Sequence, residues 1–158
     1  TITGYTYNAT ATDDLALGTV NGSTVLSTNV SDKALTLNFT AGAPTAVGGY
    51  FFNTDPGFNV VNSVITVTAY PGASAQSVVT GSATNFFGWL DDSGTPFTSL
   101  VIVPGAGSPD AFATVDDLVL GQAAPAAQVP GPLPVLGLVV AFSFSRRLRS
   151  RIAAARHR

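Results

Sequence analysis

The clearest pattern in the chain is alternation. Leu35, Leu37 and Phe39 alternate with Thr36 and Asn38, the period of a strand with one buried face. Ser63 to Tyr70 carries Ile65, Val67 and Ala69 at alternate positions, which predicts the best long strand, and Pro71-Gly72 ends it. Shorter apolar or alternating runs predict further strands over Thr1–Tyr7, Ser23–Ser27, Val47–Phe52, Ala75–Thr80, Asn85–Leu90, Phe97–Val103 and Ala111–Leu120. Leu15, Leu17 and Val20 fit one more. Turn signals separate them, notably Asn21-Gly22, Asn53-Thr54-Asp55-Pro56-Gly57 and Pro104-Gly105. Helical periodicity is absent before residue 133. About eight to ten short strands at this spacing predict an all-β sandwich or barrel. The expected core is Leu35, Leu37, Phe39, Phe51, Ile65, Val67, Phe87, Trp89, Leu100, Ile102, Phe112 and Val115, with the buried face open to a one-residue shift.

The pattern changes after Gly121. Residues 122–134 are rich in Ala and Pro, which keeps a chain extended and makes a semi-rigid spacer. An apolar run then leads to Ser145 and an arginine block. The expected organisation is therefore a β-domain over 1–121, a linker over 122–134 and an apolar, basic tail over 135–158. As a helix, the 13 residues from Leu133 to Ser145 would reach roughly 20 Å. A lipid core is ~30 Å thick. The run is short for a permanent span and suits a snorkelling anchor, an interfacial segment or a transient signal. Leu148, Ile152 and Ala155 extend one apolar helical face, and a helix docked on the domain is the plainer alternative.

Charge sharpens this division. Residues 1–145 hold one lysine against nine aspartates, a net of −8, whereas 146–158 hold six arginines. An acidic body argues against nucleic acid as a partner. An arginine block after an apolar run suits an anionic membrane surface. Glutamate, cysteine and methionine are all missing. Thiolate metal sites and cysteine nucleophiles are thereby excluded, and the absent initiator Met suggests a processed, exported chain.

Val129-Pro130-Gly131-Pro132-Leu133-Pro134-Val135-Leu136-Gly137, followed by Ala141-Phe142-Ser143-Phe144-Ser145-Arg146-Arg147-Leu148-Arg149, resembles the PEP-CTERM sorting signal. Pro130-Gly131-Pro132 stands where the namesake Pro-Glu-Pro would be, and Ala153–Arg158 run past the usual end. That signal is read by exosortase in Gram-negative bacteria and cyanobacteria. The resemblance implies Val129 to Pro134 as the sorting motif, and Arg146, Arg147, Arg149 and Arg151 as a basic membrane anchor. It implies a cell-surface or extracellular-matrix location and a role in matrix or biofilm. Phe86-Phe87-Gly88-Trp89-Leu90, Pro96 to Leu100 and Asp110 to Gly121 are similar to the last strands of ectodomains carrying this signal, which implies a jelly-roll, carbohydrate-binding-like sandwich.

Catalytic chemistry has few residues to use. The only histidine is His157, so the body has no imidazole base or ligand. Neighbouring aspartates on a strand point to opposite faces and do not converge as an acid pair. The expectation is a non-enzymatic protein. Jelly-roll modules of this kind imply a structural Ca²⁺ joining an early loop to the last strand, with Asp13, Asp14, Asp116 and Asp117 as candidate ligands. Asp91-Asp92-Ser93-Gly94 and Asn53-Thr54-Asp55 are loop alternatives, and turn residues are the plainer reading. Tyr5, Tyr7, Tyr50, Phe58, Tyr70 and Trp89 are either core or a platform for polysaccharide, with Tyr70 and Phe58 the best exposed candidates. Four Asn-x-Ser/Thr sequons, at Asn8, Asn21, Asn29 and Asn38, suit a glycosylated surface. Thr/Val-rich edge strands suit strand addition, so a self-assembling filament or sheath subunit is the alternative to a monomeric surface protein.

Overall fold

A computed structural model describes residues 3–71, 74–80 (backbone alone), 83–105 and 110–124. The chain divides into two compact units, Thr1–Pro125 and Ala126–Arg158. The second unit, with the linker from Pro125, the motif Val129–Pro134 and the arginine block, lies outside the described residues.

The described part of the first unit is all-β and holds no helix. Eleven strands form among these residues: β1 Thr6–Ala11, β2 Leu15–Val20, β3 Ser23–Thr28, β4 Leu35–Ala41, β5 Ala46–Thr54, β6 Val60–Val61, β7 Ser63–Tyr70, β8 Ser74–Thr80, β9 Phe86–Leu90, β10 Ser99–Pro104 and β11 Phe112–Gly121. One sheet has the order β1-β4-β10-β7-β8. The other runs β2-β3-β11-β5-β6, with β9 also paired to β5. Every pairing is antiparallel. The last two strands sit inside the two sheets, β10 between β4 and β7, β11 between β3 and β5.

The two sheets share one apolar core. The first contributes Leu35, Leu37, Ile65, Val67, Ala69, Leu100 and Ile102; the second contributes Val47, Phe51, Trp89, Ala113, Val115 and Leu120. Burying each large side chain stabilises the fold by roughly 1.5–3 kcal/mol, which selects the register strand by strand. Asn53 is the polar exception, fully buried. Its Nδ2 donates to Ser63 Oγ at 2.7 Å and to the Val64 carbonyl at 3.0 Å, tying β5 to the opposite sheet.

Four expectations need correction. The first strand is Thr6–Ala11, not Thr1–Tyr7. Its pairing with β4 sets Tyr7 opposite Phe39 and Ala11 opposite Leu35, and the small inward residues Ala9 and Ala11 hid the alternation. Asn53 and Thr54 belong to β5, buried, and only Asp55 enters the turn. The two-residue β6 was not anticipated; Val60 and Val61 pair with Thr54 and Asn53 as the chain returns from that turn. Phe112 faces away from the core, because Ala113 and Val115 take the inward positions and neighbours alternate. Phe39 and Phe87 are half-buried against the core rather than inside it.

A β-bulge in β11 completes the core. Asp116 pairs with Tyr50 and Val119 with Gly48, so Asp117 and Leu118 together oppose Gly49. Before the bulge, odd positions face inward (Ala113, Val115); after it, even positions do (Leu118, Leu120). The extra residue shifts the phase so that both leucines reach the core and Val119 turns outward, 53% exposed. Asp117 absorbs the kink with φ +45°.

Candidate functional site

The four aspartates proposed as a Ca²⁺ set lie in two separate places. Asp13 and Asp14 are in the β1–β2 loop, where Asp14 Oδ1 accepts the Leu15 N–H at 2.8 Å. Asp116 and Asp117 are in the bulge, where Asp116 Oδ1 accepts from Ser23 Oγ at 2.9 Å and from the Asp117 N–H at 2.8 Å. The register separates the pairs further. Leu15 lies opposite Thr28, whereas Asp116 reaches Ser23, at the other end of β3. Among the described residues no three acidic or imidazole side chains come together as a cation site.

The alternative acidic loops are closed on themselves. Asp55 Oδ1 accepts the Gly57 N–H at 2.8 Å and the Asn59 N–H at 2.9 Å, and Oδ2 accepts Asn59 Nδ2 at 2.9 Å. The Asn59 side chain first, then its backbone N–H, hold the Asp55 carboxyl below its ordinary range. Asp91 does the same with Ser93 Oγ and the Thr95 N–H, and its carboxyl is likewise lowered, chiefly by Ser93. Hydrogen bonds to the charged form are the cause in both loops.

The aromatics separate by face. Trp89 is in the main core, 6.0 Å from Phe51 ring to ring in an edge contact. Tyr5 and Tyr7 pack half-buried against the same core. Tyr70, at the end of β7, is 41% exposed. Phe58 is not a free platform. It packs with Val20, Val25 and Phe52 in a second apolar cluster. Phe51 points into the main core, so Phe52 and this cluster belong to the outer face of the second sheet.

This outer face carries the concave features that sequence reasoning missed. Residues 55–61 cross it as a strap. Phe58 sits at the strap's centre with φ +61°, and its ring rests where a Cβ on Gly18 would be. A smaller pocket of about 110 Å³ lies on one side of the ring, lined by Ala16, Asn29, Thr54, Asp55 and Phe112 among others. A larger cleft of about 410 Å³ lies on the other, bounded by Thr19, Val20 and Asn21 of the β2–β3 hairpin and by Gly57, Phe58, Asn59 and Val60 of the strap. The Asn21-Gly22 turn was legible in the sequence. The meeting of that turn with Asn59 was not, because it depends on how the hairpin lies against the strap.

Two other surface features stand out. An opening of about 330 Å³ runs between Tyr7 and Leu37 of one sheet and Leu26, Val115 and Leu118 of the other, with Asp116 and Asp117 also lining it. Farther along the outer face, Phe86 (51% exposed), Leu90 (75%) and Val119 form an uncovered apolar patch beside Tyr50. The ladder places them together: Tyr50 faces Phe86, Ala46 faces Leu90, and Gly48 faces both Gly88 and Val119. Phe86 lies over Gly48, where a Cβ would collide with its ring.

No family model, curated protein or solved structure matches this chain.

Proposed function

We propose that this is a non-enzymatic, exported cell-surface or matrix protein: a jelly-roll ectodomain joined by a Pro/Ala spacer to a PEP-CTERM-like sorting tail. The strand order supports the jelly-roll reading. Eight strands, β3, β4, β5 and β7 to β11, pair as β3-β11-β5-β9 and β4-β10-β7-β8, and β1, β2 and β6 add at the sides. The observation that carries the functional reading is where the fold closes. Gln122 Nε2 donates to the carbonyls of Ala43 (2.8 Å) and Gly42 (3.3 Å), and the Ala123 N–H donates to Thr45 Oγ1 at 2.7 Å. These bonds pin the first two residues of the Ala/Pro-rich stretch to the body. The motif Val129 to Pro134 and the anchor Arg146, Arg147, Arg149 and Arg151 follow that closure in sequence. Exosortase-type machinery and, transiently, an anionic membrane are the partners this implies.

The full chain, secreted in a host that carries exosortase and in one that lacks it, tests this reading. Fractionation and intact-mass analysis should find the body outside the cytoplasm in both. With exosortase the tail should be processed near 129–134; without it the tail should remain. The same full-length mass in both hosts would overturn the assignment.

The patch of Phe86, Leu90 and Val119 favours a second reading, assembly of copies through the outer face. Contiguous exposed apolar area of this kind marks an interaction surface. Light scattering should then show oligomers of the wild-type chain and a shift to monomer in Leu90→Lys. A monomeric wild type across the micromolar range would rule it out.

A further inference from the structure

One side of the sandwich is open in both sheets. Among the described residues, β1 pairs with β4 alone and β2 with β3 alone, so each sheet ends there in a free edge of 6 residues. The two edges lie on the same side, because the opening of about 330 Å³ runs between Tyr7 and Leu37 of the β1–β4 pair and Leu17 and Leu26 of the β2–β3 pair. Charge and proline are the usual guards of such an edge, and neither strand carries either. The β2–β3 ladder also runs without a bulge.

Leu17 marks this side as unfinished. Even positions of β2 face outward, where Gly18 seats the Phe58 ring and Val20 joins the second cluster. Odd positions therefore face the other sheet, and Leu15 packs on the shared core. Leu17 points the same way, yet it is 74% exposed. In the ladder it stands beside Leu26, and Leu26 stands beside Val115. An apolar row thus crosses β11, β3 and β2 on the inner face and ends at an exposed leucine.

We propose that the β1–β2 side joins a second copy of this chain across a two-fold axis, β2 pairing antiparallel with β2 and β1 with β1, so that both sheets continue from one copy into the other. The occupant follows from the geometry. Free backbone donors and acceptors call for an extended strand. Two edges, one per sheet and roughly 10 Å apart, call for two strands at that spacing. A single peptide supplies one strand. A copy of the same sandwich supplies both, and the same patch serves on each side. The side chains set the register of β2. With the axis beside Leu17, that residue faces Leu17 of the second copy, and inner positions oppose inner positions. The row of Val115, Leu26 and Leu17 then runs unbroken into its mate. Asp14 faces Val20 of the second copy, so no aspartate opposes another along β2. This surface is separate from the outer-face patch at Leu90 and does not depend on the export reading.

The chain has no cysteine, so a single introduced thiol gives a direct test in the full chain. Residues directly opposite in an antiparallel pair have Cα atoms roughly 4.5–5.5 Å apart, within the ~4.4–6.8 Å that a disulfide spans. Leu17→Cys should therefore cross-link two copies under mild oxidation. Leu90→Cys, at a position equally open on the outer face, should not. Sedimentation should show the wild type as a dimer in the micromolar range, with a thermal midpoint that rises with concentration. Leu17→Lys, at a site exposed in each copy, should keep the far-ultraviolet circular dichroism and weaken the dimer roughly tenfold or more, by setting two ammonium groups face to face. Leu90→Lys should stay dimeric, which separates this surface from assembly through the outer face. A monomeric wild type would overturn the proposal. So would a dimer untouched by Leu17→Lys, cross-linking through Leu90→Cys instead of Leu17→Cys, or growth into open-ended polymers. None of these outcomes bears on whether the tail directs export.

Discussion

Asp55 shows how one carboxylate holds a surface strap in place. It accepts hydrogen bonds from the Gly57 and Asn59 backbones and from the Asn59 side chain, and so presents Phe58 to Gly18. Those bonds favour the ionised form and lower its pKa below the ordinary 3.8. A group with a depressed folded pKa contributes stability above its unfolded pKa and loses it as pH falls through the folded value. The strap should therefore be fully held at neutral pH and loosen only below about pH 3.8. Amide-exchange protection at Gly57 and Asn59, corrected for intrinsic rates, should fall on acidification through that window while core amides of β10 stay protected. Unchanged protection at those two amides would show that the carboxylate does not hold the strap. The sequence showed this turn through Asp55-Pro56-Gly57, yet it left Phe58 looking exposed. What decided otherwise was Gly18, a strand residue forty positions away in a different hairpin, whose missing side chain makes room for the ring.

At the level of single elements, β11 carries the most information. Its sequence, Ala113-Thr114-Val115-Asp116-Asp117-Leu118-Val119-Leu120, cannot be read as one alternating strand, because the apolar phase changes midway. Two carboxylates at that point suggested ligands. The structure uses the residue between the two phases as a spacer: Asp117 and Leu118 share the place opposite Gly49, and both leucines then face inward. A β-branched side chain tolerates φ +45° poorly, whereas glycine adopts it freely. Asp117→Val should thus lower stability by about 1–2 kcal/mol, and Asp117→Gly should leave it within a few tenths of wild type. Denaturant unfolding of both variants checks the pair. Equal losses would point to the carboxylate itself, through a partner or an ion, rather than to backbone geometry. The strongly alternating strands β4 and β7 were legible because one face of each is buried along most of its length. β1 and β11 were legible only in part, since small inward residues in one and a phase change in the other break the simple period.

At the scale of the molecule, the question is where the folded body ends. Composition suggested Gly121, the last residue before the Ala/Pro stretch, and β11 does stop there. The hydrogen bonds continue two residues further. Gln122 reaches across to Gly42 and Ala43 at the β4–β5 corner, Thr45 Oγ1 lies 3.3 Å from Gln122 Oε1, and Ala123 bonds back to the same Thr45 oxygen. Thr45 is 4% exposed, so this corner would otherwise hold a buried hydroxyl with fewer partners. The corner also starts β5, whose Val47 and Phe51 lie in the shared core, so fraying there would propagate inward. A chain ending at Ala124 should therefore be more stable than one ending at Gly121 by about 1–2 kcal/mol, the net worth of two or three such bonds in a half-exposed setting. Gln122→Ala in the longer chain should reproduce part of that loss. Equal midpoints for the two truncations would mean that the clamp adds nothing and that the body closes at the end of β11. A lower midpoint for the shorter chain would place the boundary inside the run of Ala and Pro. Cleavage or anchoring could then act on the residues that follow without unpicking the last strand.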